Sequence, residues 1–445
     1  MSALLKIKGR LTSFQIIILG FISVIFVGTI LLMLPISSQS GQVTNFGDSL
    51  FTATSAVCVT GLVVYDTASY WSYFGQAVIL ILIQIGGLGV VTIASFMAML
   101  TGKKINLLQR QTMQNALAAP QMGGVVRLTR FILIAVVIIE IIGALLLFPV
   151  FIPKYGAQGI WLSIFHSISA FCNAGFDLMG SRTGEFSSLT SFSGNIYMTL
   201  VICALIIIGG IGFLTLSDIV HKRHKLSSYR MQSKVILVTT VVLIAVPAVI
   251  MFFSCFTEGS ISERISMSLF QAVTPRTAGF NTANIAAMPD VGLIMIMVLM
   301  LIGGSPGSTA GGIKTTTVAT LFGNVVSVFR KRPNVNFFGR RLSDIVVKNA
   351  SAILMMYCFL AVGGAFIISL VENIPMSSCL FETFSAIGTV GLSLGITPDL
   401  SIISQLVLVI LMFWGRVGGF TIIYAAFSQQ DLTASKYPTE SIMIG

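Results

Sequence analysis

A single phrase recurs four times, at near-equal intervals, along this chain of 445 residues. It reads Ser55-Ala56-Val57-Cys58-Val59-Thr60-Gly61-Leu62, then Ser169-Ala170-Phe171-Cys172-Asn173-Ala174-Gly175-Phe176. A looser copy is Val273-Thr274-Pro275-Arg276-Thr277-Ala278-Gly279-Phe280, and the last is Ser385-Ala386-Ile387-Gly388-Thr389-Val390-Gly391-Leu392. Four similar units, each with a glycine in the same local context, imply four walls around one axis. In a membrane, such an arrangement makes a pore.

Composition places the chain in a membrane. Only 9% of residues are charged, 55% are hydrophobic, and mean hydropathy is +0.95, outside the range of a soluble domain. Apolar runs such as 16–34, 77–100 and 131–152 are long enough to cross roughly 30 Å of hydrocarbon as helices. The first run exceeds a signal-peptide core and lacks a small-residue cleavage site. The net charge of +11 does not point to nucleic acid, because bases concentrate in alternate connections: Lys6 to Arg10, Lys103 to Arg130, Lys222 to Lys234, and Arg330 to Lys348. By the positive-inside rule these face the cytoplasm. Both termini are therefore expected inside a cell membrane, with the glycine phrases approaching the outer face. The six cysteines show no metal-ligand spacing and read as packing residues; Cys58 and Cys172 share a place in the repeat.

Each unit shows one succession. A long apolar helix is expected at 13–35, 128–152, 232–254 and 346–370. A segment too short to span follows at 45–58, 159–172, 262–275 and 376–388, then the glycine phrase, then a second long helix at 74–100, 194–220, 290–327 and 401–427. Irregular backbone is tolerated at membrane depth only inside protein or against water, so the short segments are expected to be re-entrant. The fold class is thus an all-α polytopic membrane protein. Four pseudo-symmetric helix–pore-loop–helix repeats (1–102, 103–222, 223–340 and 341–445) surround one ion pore, with eight membrane-spanning helices and four re-entrant pore helices.

Carbonyl rings coordinate a dehydrated cation without holding it too tightly, and glycine lets backbone approach an ion with φ > 0. The candidate filter is Val59, Thr60 and Gly61; Asn173, Ala174 and Gly175; Thr277, Ala278 and Gly279; and Thr389, Val390 and Gly391. Potassium would be held by the carbonyls at Gly61, Gly175, Gly279 and Gly391. The last stretch repeats the Thr-Val-Gly core of potassium-channel filters.

The second helix of the third unit is interrupted by Gly303, Gly304, Ser305, Pro306, Gly307, Ser308, Thr309, Ala310, Gly311, Gly312, Ile313 and Lys314. Glycine costs about 1 kcal/mol and proline about 3 in a helix, so this run reads as a flexible barrier beneath the filter. Only this helix is expected to be broken; the glycine pairs at 86–87 and 209–210 read as close packing. Arg416 lies inside an apolar span, where a charge costs about 2.5–3.5 kcal/mol. It either points into the pore as a barrier or fixes loop carbonyls, and the two roles are compatible. Glu140 is either a structural partner of a polar loop or a proton or sodium site. Arg276 is expected to brace the outer mouth with a carboxylate.

The stretches 274–280, 303–314 and 415–419 resemble the motifs of membrane subunits of the Ktr/Trk/HKT superfamily of potassium transporters, and the resemblance covers nearly the whole chain. It implies filter glycines at 61, 175, 279 and 391, a gating loop at 303–315 and pore-blocking Arg416. It also implies a homodimer with one pore per protomer, and a cytosolic ring of RCK-type (KtrA-like) nucleotide-binding subunits. Sodium dependence occurs in many members. Potassium is then the transported ion, no organic cofactor is expected in this chain, and membrane lipid is its remaining partner. The tail 441–445 is expected to contribute to dimer and partner contacts. The competing reading is an alternating-access cation carrier, whose helices break in corresponding positions of paired repeats. An enzyme is not expected, for want of paired acids or a Ser/His constellation.

Overall fold

The structure is a computed structural model, and it describes residues 12–100, 105, 107–118, 121 and 123–426. The tail at 441–445 and the bases Lys6, Lys8, Arg10, Lys103 and Lys104 lie outside the described residues. Four continuous helices are long and apolar enough to cross a membrane: Ser13–Met33, Val125–Tyr155, Met231–Ser254 and Asp344–Glu372. These lead the four repeats. Only about a third of each apolar stretch is buried, so they form the outer wall and turn their remaining apolar surface to lipid. The first is opened by a reciprocal cap, in which the Thr12 hydroxyl accepts from Gln15 N–H and Gln15 Oε1 accepts from Thr12 N–H.

The short helices Phe46–Val57, Gln158–Phe171, Ile261–Val273 and Met376–Gly388 occupy the centre. They contribute Phe51, Phe165, Phe171, Phe270 and Phe381, all among the largest fully buried side chains. Helices of 12 to 14 residues are too short to span. Each ends at its glycine phrase, so four negative helix ends converge there.

The trailing helices depart from expectation. None runs straight through. Tyr73–Leu88 and the helix beginning at Val90 meet at 93°, Ile196–Gly210 and Phe213–Lys222 at 102°, and Ile402–Val417 and Gly419–Ala426 at 93°. In the third repeat Asp290–Leu301 and Thr315–Phe329 are separated by the glycine-rich run. Every repeat is therefore broken, not the third alone, and the glycine pairs do more than permit close approach. The bends turn on Gly89, Gly212 and Gly418, with φ of 84°, 87° and 88°, a region costly to residues with a Cβ. Just before the bends, a Cβ on Gly86, Gly209 or Gly415 would strike the carbonyl oxygen of Val57, Phe171 or Ile387, the last turn of the short helix in the same repeat. These glycines seat each trailing helix under its short helix.

Gly86→Ala should therefore destabilise the fold by about 1–3 kcal/mol, seen as a lower unfolding temperature in detergent. Gly363→Ala, where an added Cβ meets nothing within 4 Å, should leave that temperature unchanged or raise it.

Candidate functional site: a ring of four glycine loops

The four glycine loops repeat one backbone conformation. Two residues before each glycine, Val59, Asn173, Thr277 and Thr389 have φ of 56°, 58°, 71° and 53°; Gly61, Gly175, Gly279 and Gly391 have φ of 89°, 70°, 80° and 91°. One hydroxyl per repeat ties the loop to its short helix. Ser55 and Ser385 Oγ accept from Gly61 and Gly391 N–H at 3.1 and 3.0 Å. Ser169 and Thr274 instead donate to the carbonyls of Phe176 and Phe280 at 2.7 and 2.6 Å.

The loops close on one another in chain order. A Cβ on Gly61 would lie 2.5 Å from the Ala174 carbonyl oxygen and 3.1 Å from Gly175 Cα. One on Gly175 would lie 2.8 Å from the Ala278 oxygen, one on Gly279 would strike the Val390 oxygen, and one on Gly391 would strike the Thr60 oxygen. The four expected filter glycines and the residue before each are thus brought together, with no room for a side chain at any of the four glycines. Loops two and three are also joined through side chains. With the Asn173 amide nitrogen facing the Ala170, Phe171 and Ile206 carbonyls, its oxygen accepts from Thr277 Oγ1 at 3.2 Å.

One side of the ring opens into a cavity of about 330 Å³ containing Asp66, Asp177 and Asp399. Asp66 binds the N–H groups of Ala68 and Ser69 in its own repeat and of Phe186 in the next. A Cβ on Gly180 would fall onto its carboxylate. Fully buried Glu382, which sequence reasoning left as one more outer acid, accepts from Ser393 Oγ (2.6 Å), Leu394 N–H (3.0 Å) and Thr397 Oγ1 (2.8 Å). It thereby holds the segment after Gly391. Arg276 does not meet a carboxylate: among the described residues the ion pairs are those of Asp218 with Lys222 and Arg230. Arg276 is 4% exposed and its Nε has no hydrogen-bond partner.

On the other side lies the glycine-rich loop. Its stem is tied by Gly303 N–H to the Ile313 carbonyl (2.9 Å) and Ile313 N–H to that of Leu301 (3.2 Å). Lys314 Nζ folds back onto the Ala310 and Gly311 carbonyls at 2.8 and 3.2 Å. The loop reaches the ring itself: Thr309 Oγ1 donates to the Phe171 carbonyl at 3.1 Å, and a Cβ on Gly311 would strike Thr389 Oγ1. Arg416 fixes carbonyls, one of the two roles expected of it. Its guanidinium donates to the carbonyls of Thr309, Gly86 and Gly87, the last at 2.9 Å. It also lines, with Lys314, a cavity of about 580 Å³ beneath the loop. Gln114 and Asn115 of the helix Leu107–Ala116, absent from the sequence reading, line that cavity too. Glu140 accepts from Gln84 Nε2 at 3.2 Å and faces Cys172 Sγ at 3.9 Å, behind the second loop.

Burial, with Asp66 adding to it, pushes the Asp177 carboxyl up to about 7, although Met179 N–H donates to it at 2.9 Å. The folded protein therefore keeps a proton that an unfolded chain loses near pH about 4. That stabilisation is complete below the unfolded value and is lost as pH rises through about 7. Thermal unfolding should show Asp177→Asn gaining on the parent protein as pH rises across this window, then holding a constant lead. A lead that does not vary with pH would contradict the assignment.

The model of the TrkH family, described as cation transport protein, matches residues 8–435. The potassium/sodium uptake protein NtpJ of Enterococcus hirae is 41% identical, over 99% of both chains. The Ktr system potassium uptake protein B of Bacillus subtilis is 37% identical, over 98% of this chain and 97% of that one. In fold, the chain is similar to the crystal structure of the potassium transporter TrkH from Vibrio parahaemolyticus. That match has a TM-score of 0.74 at 18% identity and covers 93% of this chain and 84% of the other. The chain belongs to the TrkH family of cation transport proteins.

Proposed function

We propose that this protein takes up potassium across the cell membrane as the conducting subunit of a channel-like transporter. The observation that carries this reading is the closed ring of four glycine loops, each at the negative end of a short buried helix. In this reading the carbonyls at Gly61, Gly175, Gly279 and Gly391 replace the ion's hydration shell. Asp66 and Asp399 concentrate cations at the mouth. The loop 303–314, with Arg416 and Lys314, closes the path beneath.

The basic connections support a cytoplasmic position for the termini and the loop side. The names of the relatives supply the rest of the proposal. That of the Enterococcus hirae protein couples potassium with sodium, which makes sodium a candidate co-ion here. The word "system" in the name of the Bacillus subtilis protein fits a multi-component assembly: a homodimer of this chain on a cytosolic RCK-type nucleotide-binding ring that moves the loop. Breaks in all four trailing helices remove one reason for setting an alternating-access carrier aside, since such carriers break helices in corresponding positions. The closed fourfold ring of parallel repeats still favours a continuous path.

Gly391→Ser should reduce rubidium uptake into proteoliposomes relative to sodium; an unchanged ion preference would refute the filter. Deleting Ser305 to Gly311 should raise rubidium flux in the absence of any cytosolic partner, and a deletion variant no leakier than its parent would refute the gate.

A further inference from the structure

A helix that breaks leaves carbonyls without an intrahelical donor, and at membrane depth each needs another partner. In the first repeat, Arg416 meets Gly87, and also Gly86, whose carbonyl additionally closes its own helix end through Gly89 N–H at 3.1 Å. In the second, Gly209 and Gly210 accept from the loop's Thr309 and Ser305 N–H at 3.3 and 2.9 Å. In the fourth, Gly415 accepts from the loop's Gly312 N–H at 3.3 Å. Gly86, Gly209 and Gly415 each abut the last turn of the short helix that leads into a ring loop.

We infer that these carbonyls form a second, inner site for a dehydrated monovalent cation of potassium's size, and that the protein fills it with its own donors while the loop is closed. The inference rests on the proposed reading of the loop as a gate. Its chemistry is that of the ring above: neutral carbonyl oxygens, two from each of the first two repeats and one from the fourth, left at helix breaks. A guanidinium held by three carbonyls is a tethered cation in a site suited to cations. Withdrawal of Arg416 and the loop hands the same oxygens to the permeating ion. The barrier is thus a competitor for a binding site as well as an obstruction.

The test is rubidium anomalous scattering from crystals of the full-length protein, as Arg416→Ala and, to guard against misfolding, as Arg416→Gln. One additional rubidium peak, within coordination distance of the Gly86 and Gly87 carbonyls and absent from the parent protein, is expected in each variant. Peaks at the glycine ring with none below would overturn the inner site and leave the filter standing. That outcome includes the case in which the trailing helices straighten and reuse their carbonyls. A lower peak without ring peaks would uphold the inner site and remove the filter. The absence of both would remove both.

Discussion

A backbone carbonyl inside a membrane must find a donor, and everything beneath the glycine ring follows from that requirement. The trailing helices bend by about a right angle where straight helices would have met it internally. The oxygens released at Gly87, Gly209, Gly210 and Gly415 are taken up by Arg416 and by N–H groups of one loop. The loop in turn gives back a carbonyl: Gly307 accepts from Phe213 N–H, the first free donor after the second bend, at 2.7 Å. Breaks and loop are therefore joined in a single hydrogen-bonded unit.

This explains why the four repeats agree in one layer and differ in the next. The ring layer needs the same backbone four times, and the positive φ values at Gly61, Gly175, Gly279 and Gly391 recur within a narrow range. The layer below needs one donor set to serve three sets of orphaned acceptors. A single long insertion in the third repeat and a single arginine in the fourth meet that need. Loops or arginines in all four repeats would compete for the same small volume.

Much of this was legible in the sequence. The four leading and four short helices fall within a few residues of their expected positions, because apolar length and the glycine phrase both mark them. The breaks at Gly89, Gly212 and Gly418 were not legible. A glycine pair inside an apolar run reads equally as close packing, and it does pack closely: what the sequence hides is that the next glycine also takes a positive φ. The partners of Arg416 lie more than a hundred residues away in two separate segments, beyond the reach of spacing arguments. Arg276 was misjudged for the opposite reason. Its place beside the glycine suggested the mouth, whereas the chain turns there and encloses it. Glu382 gave no signal beyond its charge, since its donors sit 11 to 15 residues downstream.

The electrostatics complete the argument. Above and within the ring the chain presents carboxylates and the negative ends of four short helices; below it stand Arg416 and Lys314. Repulsion alone would make a poor barrier, because a charge lining a wet cavity is screened. Arg416 is instead drawn up against carbonyls, where its charge is used in hydrogen bonds that a neutral residue could not make as strongly. Moving it costs those bonds unless something of like charge replaces it at the same oxygens. In the proposed reading, a permeating cation is the species that the ring above delivers to that place.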